Sequence, residues 1–190
     1  MITFERRKED ILKKGDKSDI GEIDVKIRKL CEKINKKDNY YTLSSCSGRI
    51  VLIKNIDKKQ GDLFVFRSHE KIGFNQLKKA LEDYKDKKES KEGLVFKQES
   101  PIIHVACKTL EDAEVILRKA QTAGMKHSGI ISIAENRIAV EIIGSEQLAL
   151  PIINNGKILV NDDFLKILVE ESNKRLEKSW QRIEKLEKLV

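Results

Sequence analysis

Cysteine, proline and aromatic residues are all scarce in this sequence. Its 190 residues include 3 Cys, 2 Pro and only 5% aromatic side chains. The cysteines, Cys31, Cys46 and Cys107, are odd in number and widely spaced, and no Cys-x-x-Cys pair is present. Disulfide frameworks and zinc-binding modules both depend on closely paired cysteines. The sequence therefore predicts reduced thiols, no disulfide framework and no metal site.

Long apolar runs are also missing. A membrane-spanning helix needs about 20 predominantly apolar residues in succession, whereas 36% of this chain is charged. The first residues, Met-Ile-Thr-Phe-Glu-Arg-Arg-Lys, do not form the apolar core of a signal peptide. We therefore expect a cytoplasmic protein that does not associate with membranes.

A third absence concerns glycine-rich phosphate loops. No Gly-x-Gly-x-Gly turn follows an N-terminal strand, although that pattern marks a Rossmann-type nucleotide site. Composition and spacing alone therefore do not identify a cofactor. They also argue against a doubly wound parallel sheet.

Positive charge, by contrast, is plentiful and unevenly placed. The net charge is +7, and residues 1–60 hold 16 Lys and Arg against 10 Asp and Glu. Residues 61–120 hold 12 against 11, and residues 121–190 hold 10 against 10. A positive field of this kind attracts polyanions. Lysine-rich surfaces are also common in proteins that bind no nucleic acid, so charge alone leaves both interpretations open.

Hydrophobic periodicity predicts helices that alternate with pairs of strands. Because neither regular βαβ spacing nor a phosphate loop is present, the pattern favours an α+β fold. We expect two layers, with a mixed or mostly antiparallel sheet covered by helices, and not a Rossmann fold. No domain boundary is evident, so residues 1–190 are predicted to form a single α+β domain.

Two segments outside the sheet carry further expectations. A long C-terminal helix is predicted from about residue 161, and at 1.5 Å per residue it would extend about 42 Å. Its far end is therefore expected to project or to meet a partner. Residues 85–93 form a charged connector without core residues and are predicted to be a mobile loop.

The most distinctive stretch is residues 40–53, Tyr-Tyr-Thr-Leu-Ser-Ser-Cys-Ser-Gly-Arg-Ile-Val-Leu-Ile. Aromatic and β-branched residues flank a small polar turn, which predicts a hairpin whose turn lines a cleft. Turn hydroxyls and the planar guanidinium of Arg49 suit a phosphate or carboxylate. The structural alternative is that Ser44, Ser45 and Ser47 only satisfy a tight turn and that Arg49 is a surface residue.

Two histidines are placed where strands are predicted to end. His69 and His104 can act as bases because imidazole titrates near neutrality. Each can equally bond a neighbouring carbonyl without taking part in chemistry. Together with Ser45 they are expected to meet in one cleft.

The polar turn and three later motifs resemble the tRNA wybutosine-synthesising methyltransferase family, of archaeal type. The similarity lies in residues 44–50 (Ser-Ser-Cys-Ser-Gly-Arg-Ile), in Ser68-His69, in residues 101–107 (Pro-Ile-Ile-His-Val-Ala-Cys), and in residues 120–130 (Ala-Gln-Thr-Ala-Gly-Met-Lys-His-Ser-Gly-Ile). The order of these motifs matches that of the family, and the similarity runs from about residue 16 to residue 173. Two departures are Ile20 in place of a lysine, and Phe64 or Phe66 in place of a tryptophan.

The resemblance implies an enzyme of wyosine and wybutosine biosynthesis. It implies transfer of a methyl group from S-adenosylmethionine to N4 of 7-aminocarboxypropyl-demethylwyosine, at the guanosine 3′ of the tRNA-Phe anticodon. On this basis His69, His104 and Arg49 are the candidate catalytic residues. Ser45, Ser47, Ser128 and Gly129 are the candidate contacts to S-adenosylmethionine. The alternative is a noncatalytic tRNA-binding or scaffold protein that holds phosphate with the same turn.

Overall fold

The computed structural model describes residues 3–14, 23–55 and 63–190. Their helices are α1 (Phe4–Lys13), α2 (Val25–Asn35), α3 (Phe74–Lys85), α4 (Leu110–Thr122) and α5 (Asp162–Leu189). A short 3₁₀ helix covers Lys88–Glu92. The strands are β1 (Tyr40–Cys46), β2 (Arg49–Lys54), β3 (Phe64–Ser68), β4 (Leu94–Glu99), β5 (Ile102–Cys107), β6 (Gly129–Ala134), β7 (Arg137–Ile143), β8 (Leu148–Asn154) and β9 (Lys157–Ile158).

These strands form two sheets. One sheet has the order β1-β5-β7-β6 and the other has the order β3-β2-β4-β8-β9. Every pairing between described strands is antiparallel. The predicted α+β class with antiparallel rather than Rossmann pairing is therefore confirmed. No helix in the described ranges combines the length and the apolar character that crossing a membrane requires.

The described chain divides into two compact units. Unit 1 takes its residues from Met1–Ser47, Ser100–Ser145 and Ser179–Val190, and unit 2 from Gly48–Glu99 and Glu146–Lys178. The single domain expected for residues 1–190 stays a prediction.

Unit 1 has a hydrophobic core on one face of its sheet. Alternate residues of β5, Ile103, Val105 and Cys107, point into this core because side chains alternate across a strand. Helices α2 and α4 and the end of α5 supply the opposing apolar side chains, which include Ile27, Leu30, Ile34, Ala113, Ile116, Ala120, Ile183 and Leu186. The other face is partly covered by α1, whose Phe4 ring lies 5.1 Å from the ring of Tyr41.

The end of α5 corrects an expectation. Ile183 and Leu186 are both buried in the core of unit 1, so this part of the helix does not project. The reason is that the apolar stripe of α5 continues at spacings of three and four to its last turn. The start of the helix agrees with the sequence, since the Asn161 side chain accepts a hydrogen bond from Phe164 N at 2.9 Å.

Unit 2 packs α3 and the first part of α5 with the five-stranded sheet. Its buried side chains include Ile50, Leu52, Leu77, Leu81, Tyr84, Leu94, Phe96, Ile152 and Leu168. Asn173 of α5 fixes the segment before α3, because its amide nitrogen donates to Ile72 O at 2.8 Å and its oxygen accepts from Ile72 N at 3.0 Å. A tight turn joins β8 to β9, with positive φ angles at Asn155 and Gly156.

The charged connector at residues 85–93 is not an open loop. It contains the 3₁₀ helix, and Ser90 within it is buried. Ser90 O accepts a hydrogen bond from Gly156 N at 3.1 Å, and Ser90 N donates to Lys87 O at the same distance. The expectation that this connector has no core residues was wrong for Ser90, because its backbone hydrogen bond to the β8–β9 turn cannot be inferred from a polar sequence. Mobility of the segment stays a prediction.

The hairpin predicted for residues 40–53 is also wrong. Both strands exist, but β1 lies at an edge of one sheet and β2 lies inside the other. Strand β2 already pairs with β3 on one side and with β4 on the other, so no edge remains for β1. The chain changes sheets at Ser47 and Gly48, where Gly48 adopts a φ of 92° that favours glycine.

Two weak acids are buried in the core of unit 1. Burial, with the carboxylate of Asp112 nearby, raises the pKa of the Tyr40 hydroxyl and that of the Cys107 thiol each to about 12. The unfolded chain loses these protons at the ordinary values of 10.0 and 9.0. Stability from the neutral forms is thus intact below about pH 9 and is lost as the pH rises towards 12.

Cys107→Ala should flatten the alkaline decline of stability. The variant lacks one acid that titrates only in the unfolded state, so its free energy of unfolding should fall less steeply above about pH 9, by at most about 1.4 kcal/mol per pH unit. Urea unfolding across this pH range measures the slope. Val105→Ala, which removes core packing without a titratable group, should instead shift the whole curve down in parallel. Equal slopes for Cys107→Ala and the wild type would contradict the raised pKa.

Candidate functional site

A row of polar side chains crosses the second face of the sheet in unit 1. The Ser44 hydroxyl oxygen lies 2.8 Å from His104 Nδ1, and His104 Nε2 lies 2.9 Å from Glu141 Oε2. Gly129 follows Glu141 in register on the next strand. Four adjacent strands, β1, β5, β7 and β6, therefore contribute one position each to this row.

A β-bulge in β1 creates the contact between serine and histidine. Thr42 pairs with Val105, and Ser44 pairs with His104, so two steps along β1 match one step along β5. Without the extra residue, Leu43 would lie opposite His104 and the row would be interrupted by an apolar side chain. Bulges commonly re-aim a side chain in this way beside functional sites.

The row is exposed at its Ser44 end and half-buried in the middle. Ser44 is exposed, whereas the side chains of His104 and Glu141 are 29% and 30% exposed. At Gly129 an added Cβ would meet no heavy atom within 4 Å, so the space above this position is open. The exposed Ser44 hydroxyl, the half-buried His104 imidazole and the half-buried Glu141 carboxylate form a hydrogen-bonded chain. Such a chain can hold or move a proton.

A small cavity of about 160 Å³ begins beside Ser44. Its lining combines apolar and polar side chains: Ile11, Leu12, Ile23, Asn35, Thr42, Leu43, Ser44 and Ser45. Asn35 is fixed within it, since Thr42 N donates to its oxygen at 2.7 Å. The Ser45 hydroxyl oxygen is buried and has no hydrogen-bond partner within the described ranges. A buried hydroxyl without a protein partner can form a hydrogen bond with a bound water or ligand.

The remaining predicted hydroxyls already have protein partners. Ser47 donates from its backbone nitrogen and from its hydroxyl to Asp24 Oδ2, at 2.8 and 3.0 Å. Ser128 donates from its hydroxyl to Met125 O at 2.8 Å and accepts from Ile143 N at 3.1 Å. These bonds fix the start of α2 to the end of β1 and fix the turn before β6.

The other two predicted residues belong to unit 2. Arg49 opens β2, and its Nε donates to Glu99 Oε2 at 2.6 Å. Its guanidinium carbon lies 4.9 Å from the centre of the Phe64 ring. Its two terminal nitrogens make no hydrogen bond to any residue that the structure describes. His69 lies directly after β3 and is half-buried.

Sequence reasoning missed Ser44 and Glu141 as partners of His104. Ser44 was visible in the polar turn, but its alignment with His104 depends on a bulge that the local sequence does not announce. Glu141 lies in β7, and only the β5–β7 register shows that it faces His104. A search for polar residues that interrupt apolar alternation in paired strands would have found His104 and Glu141 together.

Comparison with known proteins decides the family. The family model described as Methyltransferase TYW3 matches residues 6–190. The chain belongs to the TYW3 methyltransferase family. The TYW3 model covers all four motifs on which the sequence resemblance depended, so that resemblance is confirmed.

Relatives within the TYW3 family come from archaea and from vertebrates. The chain is 37% identical over 163 residues to a Methanocaldococcus jannaschii protein, and the alignment covers 84% of this chain and 81% of that protein. That protein is named tRNA(Phe) 7-((3-amino-3-carboxypropyl)-4-demethylwyosine(37)-N(4))-methyltransferase. A Xenopus laevis relative, named tRNA wybutosine-synthesizing protein 3 homolog, is 31% identical over 185 residues, with 95% of this chain and 71% of the relative covered.

Solved structures resemble the same fold. A Pyrococcus horikoshii protein superposes with a TM-score of 0.87 at 32% identity, covering 99% of this chain and 96% of the other. An Aeropyrum pernix protein superposes with a TM-score of 0.73 at 29% identity, covering 88% and 99%. The α+β architecture described above is therefore shared with proteins of known structure.

The bond between Ser47 and Asp24 yields a stability prediction. One carboxylate oxygen accepts two hydrogen bonds here, and Asp24→Ala leaves both donors of Ser47 without that acceptor. We expect the free energy of unfolding to fall by about 1–3 kcal/mol, as measured by urea denaturation. Asp83→Ala, on the exposed surface of α3, is the control and should change it by less than about 0.5 kcal/mol. Equal stability of Asp24→Ala and the wild type would show that these bonds contribute nothing.

Proposed function

We propose that this chain methylates N4 of 7-aminocarboxypropyl-demethylwyosine, at the guanosine 3′ of the anticodon of tRNA-Phe. The observation that carries this proposal is family membership across residues 6–190, together with relatives that are named for this reaction. The proton-handling row in unit 1 supports it, because N4 exchanges a proton for the methyl group. As an enzyme acting on tRNA, the protein would work in the cytoplasm.

The family implies a methyl donor, and we propose that the donor is S-adenosylmethionine. When bound, it supplies an electrophilic methyl group on a sulfonium sulfur. The cavity beside Ser44 suits the amino-acid end of such a molecule, since hydroxyl and amide groups lie next to the aliphatic side chains of Ile11 and Ile23. Ser45 is the strongest candidate contact because its buried hydroxyl has no hydrogen-bond partner among the described residues and can therefore bond to a ligand.

Three further contacts to the donor stay part of the proposal. The hydroxyl of Ser47 donates to Asp24 but keeps lone pairs that can accept a hydrogen bond. Ser128 uses its hydroxyl as donor and acceptor in the turn, so it would act by shaping the backbone before Gly129. Gly129 borders open space, where a ligand can approach the backbone closely.

We assign the proton released from N4 to a histidine. His104 is favoured because a carboxylate and a hydroxyl hold its ring on both sides. His69 is the second candidate. Comparison of His104→Gln with His69→Gln under single-turnover conditions separates the two, because loss of a general base lowers the rate by about 10²- to 10⁴-fold.

Arg49 would hold an anionic group of the donor or of the modified guanosine. Glu99 and the Phe64 ring fix the guanidinium through Nε and through one face. The edge that carries the two terminal nitrogens can then donate two parallel hydrogen bonds to a carboxylate or phosphate.

Ser45→Ala should weaken binding of S-adenosylmethionine. Loss of one hydrogen bond worth about 0.5–1.5 kcal/mol corresponds to a roughly 2- to 12-fold higher Kd, which calorimetry measures. Ser132→Ala on β6, an exposed serine of the same unit, is the matched control and should bind as the wild type does. Unchanged affinity in Ser45→Ala would remove Ser45 from the donor site. Absence of binding by the wild type would favour the noncatalytic tRNA-binding alternative.

Arg49→Lys should abolish most methyl transfer although the positive charge is kept. A lysine loses the paired hydrogen bonds, worth about 1.5–3 kcal/mol, which is roughly a 10- to 150-fold loss in rate if they form in the transition state. The assay is methyl transfer to tRNA from a strain that lacks this gene. Arg67→Lys is the control, since the Arg67 guanidinium also contacts the Phe64 ring, at 5.2 Å. Full activity of Arg49→Lys would show that Arg49 has no role in methyl transfer and is only a surface residue of its strand.

A further inference from the structure

We propose that the Ser44 hydroxyl, and not the His104 ring, meets the substrate, and that Ser44 passes the N4 proton to His104 while Glu141 holds the ring. This inference rests on the proposed methyl transfer. It assigns Ser44 as the catalytic residue that contacts N4–H and Glu141 as a positioning residue.

Both ring nitrogens of His104 already have hydrogen-bond partners, so neither is left for a substrate. Nδ1 lies within hydrogen-bond distance of Ser44 and Nε2 within that of Glu141. A base in direct contact with the substrate would have to break one of these bonds. Ser44 is exposed and bonded to the ring, so it is the accessible end of the chain.

The hydrogen bonds along the row run in one direction, from Ser44 through His104 to Glu141. A carboxylate can only accept, so Nε2 of the neutral ring carries the hydrogen that Glu141 receives. Nδ1 is then the bare nitrogen, and it accepts the hydrogen of the Ser44 hydroxyl. Proton flow from Ser44 towards His104 therefore needs no rotation of the ring.

The backbone of the sheet fixes this arrangement of the three side chains. His104 and Glu141 are directly opposite in the β5–β7 ladder, and the bulge after Thr42 puts Ser44 opposite His104 on the other side. All three side chains project from paired strands rather than from loops. Their geometry is thus set before any ligand binds.

The proton and electron balance closes without an added reagent. Transfer breaks the methyl–sulfur bond, whose electron pair stays on sulfur, and the N4 lone pair forms the new carbon–nitrogen bond. The proton of N4 goes to the Ser44 oxygen as the hydroxyl proton goes to His104 Nδ1. The positive charge that begins on the sulfonium ends on an imidazolium next to the Glu141 carboxylate.

The tautomer of His104 gives a test that requires neither donor nor tRNA. Long-range ¹H–¹⁵N spectra of the purified protein report which ring nitrogen carries the proton, and His104→Gln identifies the resonance. We expect neutral His104 to be protonated on Nε2 in the wild type, and we expect a mixture of tautomers in Glu141→Leu. A wild-type ring protonated on Nδ1 would overturn the proposal.

Single-turnover methyl transfer supplies the second test. Ser44→Ala should lower the rate about 10²-fold or more, whereas Ser44→Thr keeps a hydroxyl and should stay within about tenfold of the wild type. Because Ser44 and His104 act as one unit, the double variant Ser44→Ala/His104→Gln should lose no more than the worse single variant. Multiplied losses in the double variant would show that the residues act independently.

The controls separate failure of this inference from failure of the proposed function. Ser132→Ala should transfer the methyl group at the wild-type rate. If the wild type and Ser132→Ala are active and Ser44→Ala matches them, the role of Ser44 is wrong while methyl transfer stands. If the wild type transfers no methyl group although His104 has the expected tautomer, the proposed function is wrong, and with it the role of Ser44.

Discussion

The register of the β1–β5–β7 ladder is the constraint on which the candidate site depends. One face of this ladder packs against α2, α4 and the end of α5. That hydrophobic core allows only one of the two alternating sets of side chains in each strand to point inward. A slip of one residue would bury His104 and expose Val105. The hydrophobic core therefore determines which side chains of β5 are available for chemistry on the opposite face. The bulge in β1 then adjusts a single neighbour within this fixed frame.

Much of this structure could be predicted from local sequence. The long C-terminal helix was predicted from about residue 161, and α5 begins at Asp162. The α+β class followed from the absence of βαβ spacing. The motif residues were identified by similarity to a family, and the family model confirms that similarity.

What could not be predicted depends on pairing between distant segments. Strands β1 and β2 are separated by two residues and look like a hairpin, yet β1 pairs with β5, which lies 56–67 positions later along the chain. Strand β2 pairs with β3 and with β4, whose paired residues lie 11–18 and 40–50 positions later. Turn chemistry describes how a chain reverses, but it does not tell which sheet has a vacant edge. The partners of His104 were missed for the same reason, since Ser44 and Glu141 are 60 and 37 residues away in sequence.

The bonds from Ser47 to Asp24 show that one motif can hold residues with structural roles beside residues with chemical roles. In the run Ser-Ser-Cys-Ser, the last serine stabilises the fold, since it joins the end of β1 to the start of α2. Among the residues that the structure describes, the hydroxyl of the first serine bonds to His104 in the polar row. A descendant of this protein that gave up its chemistry would be free to exchange Ser44 for almost any residue, but it would keep Ser47. Loss of the first serine with retention of the last would then mark such a lineage in sequence data alone.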